Sequence, residues 1–343
     1  MTLAHTLVEK GVLPDALVRQ GIRRRLADRI EREMAGGVEA RQERTRALVE
    51  ELRRSPIALA TDKANEQHYE APTAFFRMAL GARMKYSCAH WPEGVRTLDA
   101  AEESMLTLCC ERARIEDGME VLDLGCGWGS MGLWIAEKYP RCRVLGVSNS
   151  ATQRAFIEER RRELGLKNIE ILTRDANQLT LDRKFDRVVS IEMFEHVRNF
   201  QSLLERIAGW LRPEGLLFVH IFTHHTCAYP FNEEDDWIGK WFFTGGLMPS
   251  NDLLLRFQKD VELLDQWLVD GRHYEKTANA WLARMDQRRE EVRLIFREHY
   301  GESEAEAWTH RWRVFFMACA ELWGFRGGKE WMVSHFLFQP RGK

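Results

Sequence analysis

Two short stretches of this chain carry residue types that can do chemistry. One is Glu192-Met193-Phe194-Glu195-His196, which brings two carboxylates and an imidazole together. A carboxylate holds a cation and imidazole accepts a proton near neutral pH, so the stretch suits an ammonium substrate that must lose a proton before it reacts. The other is Gly125-Cys126-Gly127-Trp128-Gly129 behind Asp123-Leu124, with glycines at alternate positions. Glycine lets backbone approach a ligand closely, and such a loop opening a helix aims free amides at it.

Three details turn the loop away from a nicotinamide dinucleotide and toward S-adenosylmethionine (SAM). The spacing is GxGxG, Ser130 takes the place of a third dinucleotide glycine, and Ser148-Asn149 stand where an acidic residue would hold the NAD ribose. Ser148, Asn149 and Gln153 can hydrogen-bond a ribose or methionine tail without adding charge beside a sulfonium. Asp123, Gly125 and Gly127 belong to the same cofactor set. Asp175 and Asn177 stand where side-chain acceptors and donors would read an adenine amine. His220, His224 and His225, followed by Glu233-Glu234-Asp235-Asp236, fit no metal-ligand spacing, so no metal is expected. The acidic run reads as a solvated face or a cation site. The Trp237–Phe243 stripe serves equally as pocket lining or core.

These stretches need a scaffold, and the periodicity supplies one. From Glu120 short apolar strands alternate with amphipathic helices, the pattern of βαβ units in a parallel sheet. Strands are expected at 121–124, 143–147, 169–173, 185–191 and 215–222, with helices at 130–138, 151–164 and 200–211. Glu192 to His196 then lie just beyond a strand's carboxyl end, where open α/β sheets bind ligands. The expected architecture is α/β: a helical N-terminal segment (1–65), a Rossmann-like core (66–223), and a helical, aromatic substrate cap (224–343). Trp331 to Phe338 would close the sheet as an antiparallel edge strand.

Of the 343 residues 45% are hydrophobic and 30% charged, and the formal net charge is -2, which argues against disorder and against a polyanion as substrate. Nucleic acid is not expected. No apolar run approaches the roughly 20 residues of a membrane helix, and no secretory leader is seen. Seven cysteines without CxxC spacing read as reduced thiols, so a cytoplasmic protein is expected. The Arg23-Arg24-Arg25 helix, interleaved with acids, reads mainly as a solvated face and secondarily as a peripheral membrane contact. A homodimer is compatible with it.

His68-Tyr69-Glu70, Met84-Lys85-Tyr86-Ser87-Cys88-Ala89, Val121 to Ser130, Ser148 to Gln153, Ile191 to His196, Trp241 to Ser250 and His273-Tyr274 occur in this order. Through them the chain resembles the cyclopropane-fatty-acyl-phospholipid synthase family of SAM-dependent methyltransferases, in particular its coclaurine N-methyltransferase-like branch. The resemblance implies a class I methyltransferase sheet, SAM as methyl donor and S-adenosylhomocysteine (SAH) as product. It implies that Tyr86 and Ser87 close over SAM and that Glu192, Glu195 and His196 face the acceptor. Fatty-acyl members use a bicarbonate held by a cysteine, a glutamate, a histidine and a tyrosine, matched here by Cys88, Glu195, His220 and Tyr274. Lipid-modifying members carry glycine at Glu192, and Phe222 replaces an aliphatic position. A second pocket carboxylate suits an amine better than an acyl chain. The expectation is N-methylation of a small aromatic or cyclic amine; the alternative is fatty-acyl cyclopropanation or C-methylation with bound bicarbonate, with Phe222 and Trp237 at the acceptor in either case.

Overall fold

Among the described residues four helices precede the sheet: α1 (Asp15–Met34), α2 (Gly37–Arg54), α3 (Thr73–Ala79) and α4 (Leu98–Arg112). The structure, a computed structural model, describes residues 11–59, 71–231 and 237–342. His68-Tyr69-Glu70 and Glu233-Glu234-Asp235-Asp236 lie outside the described residues. Gly36 and Gly37 both adopt positive φ at the junction of α1 and α2. α1 lies on the C-terminal helices, tied by Arg19 and Arg23 to Glu321 and by Asp15 to Arg313. α2 buries Leu48, Val49 and Leu52 against the core. Part of the basic run is thus engaged in ion pairs.

The alternating segment follows as β1 (Glu120–Leu124), α5 (Ser130–Lys138), β2 (Arg143–Ser148), α6 (Ala151–Glu163), β3 (Ile169–Thr173), β4 (Phe185–Ile191), α7 (Phe200–Trp210) and β5 (Leu211–His224). β1 is buried along its whole length, as a central parallel strand covered on both faces must be. Its residues alternate between two apolar clusters, Val121 into one and Leu122 and Leu124 into the other. Side chains start the helices: Ser150 Oγ accepts from Gln153 N at α6, and Asn199 Oδ1 accepts from Ser202 N at α7. Each cap contributes about 1 kcal/mol.

A small ribbon of β6 (Tyr229–Pro230) and β7 (Leu247–Met248) brackets α8 (Trp237–Trp241). Then come β8 (Val261–Val269), α9 (Gly271–Gln287), α10 (Arg289–Tyr300), α11 (Glu302–Gly324) and β9 (Trp331–Pro340). The sheet order is β3-β2-β1-β4-β5-β9-β8. Two sequence expectations change here. β9 is antiparallel but lies inside the sheet, between β5 and β8, and the edge belongs to β8, which the sequence presents as part of a helical cap. β5 also runs through residue 224, so no structural break falls at 223. The cap proper is α9 to α11 with α3, packed on an aromatic centre in which Trp312 meets Phe75 at 4.6 Å and Phe242 at 5.0 Å between ring centroids. Among the described residues no helix is long and apolar enough to cross a membrane.

Candidate active site

The carboxyl ends of β1, β2 and β4 open into one cavity of about 100 Å³, lined by Gly125, Gly127, Ser148, Asn149, Gln153 and His196 among others. The glycine loop is pinned across the strands, with Gly125 N and Cys126 N both donating to Val147 O at 3.0 and 2.9 Å. Gly125 has φ +81°, and a Cβ there would lie 2.5 Å from Met193 Cγ. Gly127 has φ +53° and faces open space, with nothing within 4 Å of an added Cβ. Ser148 Oγ donates to Gln153 Oε1 at 2.6 Å. Gln153 Nε2, buried, has no partner among the described residues. An open glycine cradle with an orphaned buried amide donor fits the ribose and methionine parts of SAM.

Other residues assigned to the cofactor stand behind this lining. Asp123 is buried under the loop, where it accepts from Gly132 N, and burial pushes its carboxyl up to about 7. Asp175 Oδ1 accepts from Asn177 N. The Asn177 amide is committed to the backbone of Ala58, accepting from its N at 3.0 Å and donating to its O at 3.2 Å. It thereby fastens the Ala58-Leu59 segment, which does line the cavity. The Ser87 hydroxyl accepts from Lys85 Nζ in the interior, and Tyr86 lies in the wall of a second cavity.

That second cavity, of about 110 Å³, shares Glu192 and His196 with the first. Its wall is aromatic: Phe222, Phe243, Tyr274, Trp281 and Trp323 surround Glu195. Phe243 and Ile238 from the predicted stripe face it, whereas Trp237 packs on Phe242, away from the lining. The stripe is thus part pocket and part core.

Glu192 joins the two cavities in an unusual backbone state, with φ +46° at the end of β4. A non-glycine residue there costs about 1–3 kcal/mol, and surrounding contacts must hold it. They do. Cys88 N donates to Oε1 at 2.9 Å, His220 Nε2 lies 3.1 Å from Oε1, and Tyr274 OH donates to Oε2 at 2.6 Å. Burial raises the Glu192 carboxyl, opposed by the Lys85 charge and these donors. Glu195 is 1% exposed, and neither of its carboxylate oxygens has a partner among the described residues. Burial, then repulsion from Glu192, pushes it well above the usual carboxylate range. Burial holds His196 down to about 4, against the pull of Glu192. Two carboxylates in a dry aromatic pocket are costly without a cation between them.

His224 is remote from this chemistry: its Nδ1 accepts from Thr226 N and Cys227 N and shapes a turn. Three residues that sequence reasoning passed over do reach the site. Lys85 is fully buried and donates to Cys88 O at 2.7 Å, holding the loop that presents Cys88 N. His335 and Arg112 stand behind His220. The available signal was a histidine in the middle of the otherwise apolar run around residues 331–338.

Residues 59–330 match the profile of mycolic acid cyclopropane synthetases. The (S)-coclaurine N-methyltransferase of Thalictrum flavum subsp. glaucum is 37% identical over 340 residues, covering 97% of this chain and 94% of that protein. The cyclopropane-fatty-acyl-phospholipid synthase of Escherichia coli K12 is 30% identical over 270 residues, 78% of this chain and 66% of that one. A crystal structure of coclaurine N-methyltransferase bound to N-methylheliamine and SAH superposes with a TM-score of 0.95 at 37% identity, covering 98% of each chain. With its glycine cradle and carboxylate-lined pocket, the chain belongs to the mycolic acid cyclopropane synthetase family and is a SAM-dependent N-methyltransferase.

Proposed function

We propose that the acceptor is a small cyclic amine carrying an aromatic ring, and that Glu195 takes its ammonium proton while Glu192 stays in place as a counter-anion. The observation that carries this reading is the position of the Glu192 carboxylate. Cys88, His220 and Tyr274, three of the four residues that match the bicarbonate ligands of fatty-acyl members, all bond Glu192. The side chain fills the place a bicarbonate would take, so deprotonation of a lipid cation has no separate anion to use. Coclaurine, pavine and tetrahydroprotoberberine N-methyltransferases are among the relatives, which supports a ring-bearing amine.

Bound SAM supplies an electrophilic methyl on a sulfonium. The protein's part is to bring a nitrogen lone pair in line with it. The aromatic faces of Phe222, Phe243 and Trp323 bury the ring and attract the ammonium by cation–π contact. Glu195, with both oxygens open and its carboxyl raised by burial, is a stronger proton acceptor than an ordinary carboxylate. His196, held neutral, borders both cavities and orients the nitrogen as an acceptor. Residue types alone assign proton abstraction to the imidazole; its depressed basicity favours the carboxylate. Seven free cysteines support a reducing compartment such as the cytoplasm.

The test is turnover with methyl-labelled SAM on a panel of cyclic secondary amines and on unsaturated phospholipid vesicles, with and without bicarbonate. Label in amine, indifferent to bicarbonate, is expected. Label in lipid would overturn the reading and return Cys88, His220 and Tyr274 to a carbonate site.

A further inference from the structure

Behind Glu192 a line of polar side chains crosses the apolar interior. His220 on β5 and His335 on β9 are directly opposed in the antiparallel register, both fully buried. His335 Nε2 lies 3.0 Å from His220 Nδ1, and Arg112 NH1 lies 2.8 Å from His335 Nδ1. Arg112, on α4, is partly exposed and covers the Trp267 ring at 5.1 Å. The line therefore runs Glu192, His220, His335, Arg112, from the pocket to the surface.

Its direction follows from one fact: a guanidinium donates and never accepts. His335 Nδ1 must then be the acceptor, which puts the proton of neutral His335 on Nε2. That proton points at His220 Nδ1, so His220 carries its own proton on Nε2, aimed at Glu192 Oε1. Cys109 Sγ, 3.8 Å from His220 Nδ1, agrees: burial pushes this thiol up to about 12, leaving an S–H to donate to the same nitrogen. Burial also holds both imidazoles well below their ordinary basicity, hence neutral. The cluster Cys109, His220 and His335 has the composition of a metal site, but each nitrogen facing it is spoken for, and Arg112 places a positive charge on its far side.

We propose that Arg112 and His335 are positioning residues that lock the His220 tautomer and so fix the Glu192 carboxylate as the counter-anion of the acceptor. The line ends on a group that cannot take a proton, so it is an anchor rather than a proton exit. Each of its hydrogen bonds ends on a group already polarised by the next, which strengthens the last one, to the carboxylate. It also helps hold Glu192 in its left-handed backbone conformation. The inference rests on Glu192 serving as counter-anion, but its first readout is independent of turnover.

That readout is nitrogen NMR of the wild-type protein labelled on histidine. Nε2–H tautomers are expected at both His220 and His335 across pH 6–8; an Nδ1–H tautomer or an imidazolium at either overturns the proposal. The titratable and charged groups around the pair are Lys85, Cys109, Arg112 and Glu192, with His90 beside His335, so signals are followed over that pH range. The second readout uses Arg112→Gln, at a partly exposed position, and Arg112→Lys. An amide can donate or accept, so Arg112→Gln should mix the His220 tautomers and lower kcat about tenfold, leaving SAM affinity within about twofold; Arg112→Lys, an obligatory donor, should restore both. Unchanged His220 signals in Arg112→Gln, or loss in Arg112→Lys equal to that in Arg112→Gln, would count against it.

Discussion

The two ends of the active site are built in opposite ways. The cofactor end draws its glycine cradle and the Ser148, Asn149 and Gln153 side chains from one continuous stretch, residues 125 to 153, in which each strand hands its loop to the next helix, with Ala58, Leu59 and the turn after β4 completing the wall. The acceptor end gathers Cys88, Glu192, Glu195, His220 and Tyr274 from the 85–89 loop, the turn after β4, the middle of β5 and the cap helix α9. A site made of consecutive loops inherits its geometry from local backbone rules. A site made of distant elements depends on the sheet register and on buried hydrogen bonds, so its failures should be separable from those of the cofactor end.

The sharpest test of that separation is Glu195→Gln. Losing the proton acceptor should lower kcat by about 10²–10⁴ while SAM affinity, measured by calorimetry, stays within about twofold. Equal loss of both would mean that the two ends form one structural unit. The converse change is Gly127→Ala. Its methyl would enter open cofactor space at a φ that L residues resist, so SAM affinity should fall about tenfold to a hundredfold at an energetic cost of about 1–3 kcal/mol. Hydrogen–deuterium exchange around Tyr274 and Trp281 should stay unaltered.

A smaller effect concerns pH. His196, held to about 4, is neutral throughout pH 5–8, whereas the Glu195 carboxyl is raised. Only ionised Glu195 can accept the proton, so activity should fall as pH drops through its raised pKa. His196→Asn should lower kcat yet leave the position of that acid limb unchanged. A limb that vanishes in His196→Asn would transfer the proton to the imidazole.

The same division governs what could be read from residues alone. β3, β4 and α5 are legible to the residue, because short apolar runs between glycines and caps admit one reading. β8 is not. Val261 to Val269 places Leu264 and Leu268 in solvent, and the pairing register slips between Leu263 and Asp265, so no period of two survives. Glu192, Glu195 and His196 stand out in the sequence because they are near neighbours there, and the fold sets all three in the wall of one cavity. Lys85, His335 and Arg112 were missed because buried polar residues draw meaning from their partners, and those partners lie on other elements. Asn177 shows the reverse: its type suited an adenine reader, while its amide holds the backbone of Ala58.

The smallest expected effect bears on the most specific feature of the acceptor end, the strained backbone at Glu192. Glu192→Gly and Glu192→Ala both remove the carboxylate, and both leave Cys88 N, His220 Nε2 and Tyr274 OH to water. Their difference in stability therefore isolates the backbone. In a helix or strand interior glycine is less stable than alanine by about 0.5–1 kcal/mol, because it gives up more chain entropy. At φ +46° the order should invert, since alanine there brings its Cβ too close to its own carbonyl, at about 1–2 kcal/mol. Chemical denaturation should find Glu192→Gly the more stable of the two by about 1 kcal/mol, and bicarbonate should stabilise Glu192→Gly while leaving the wild type unaffected. If alanine proves the more stable, the left-handed conformation belongs to no strained state, and the donors around Glu192 have no backbone cost to offset.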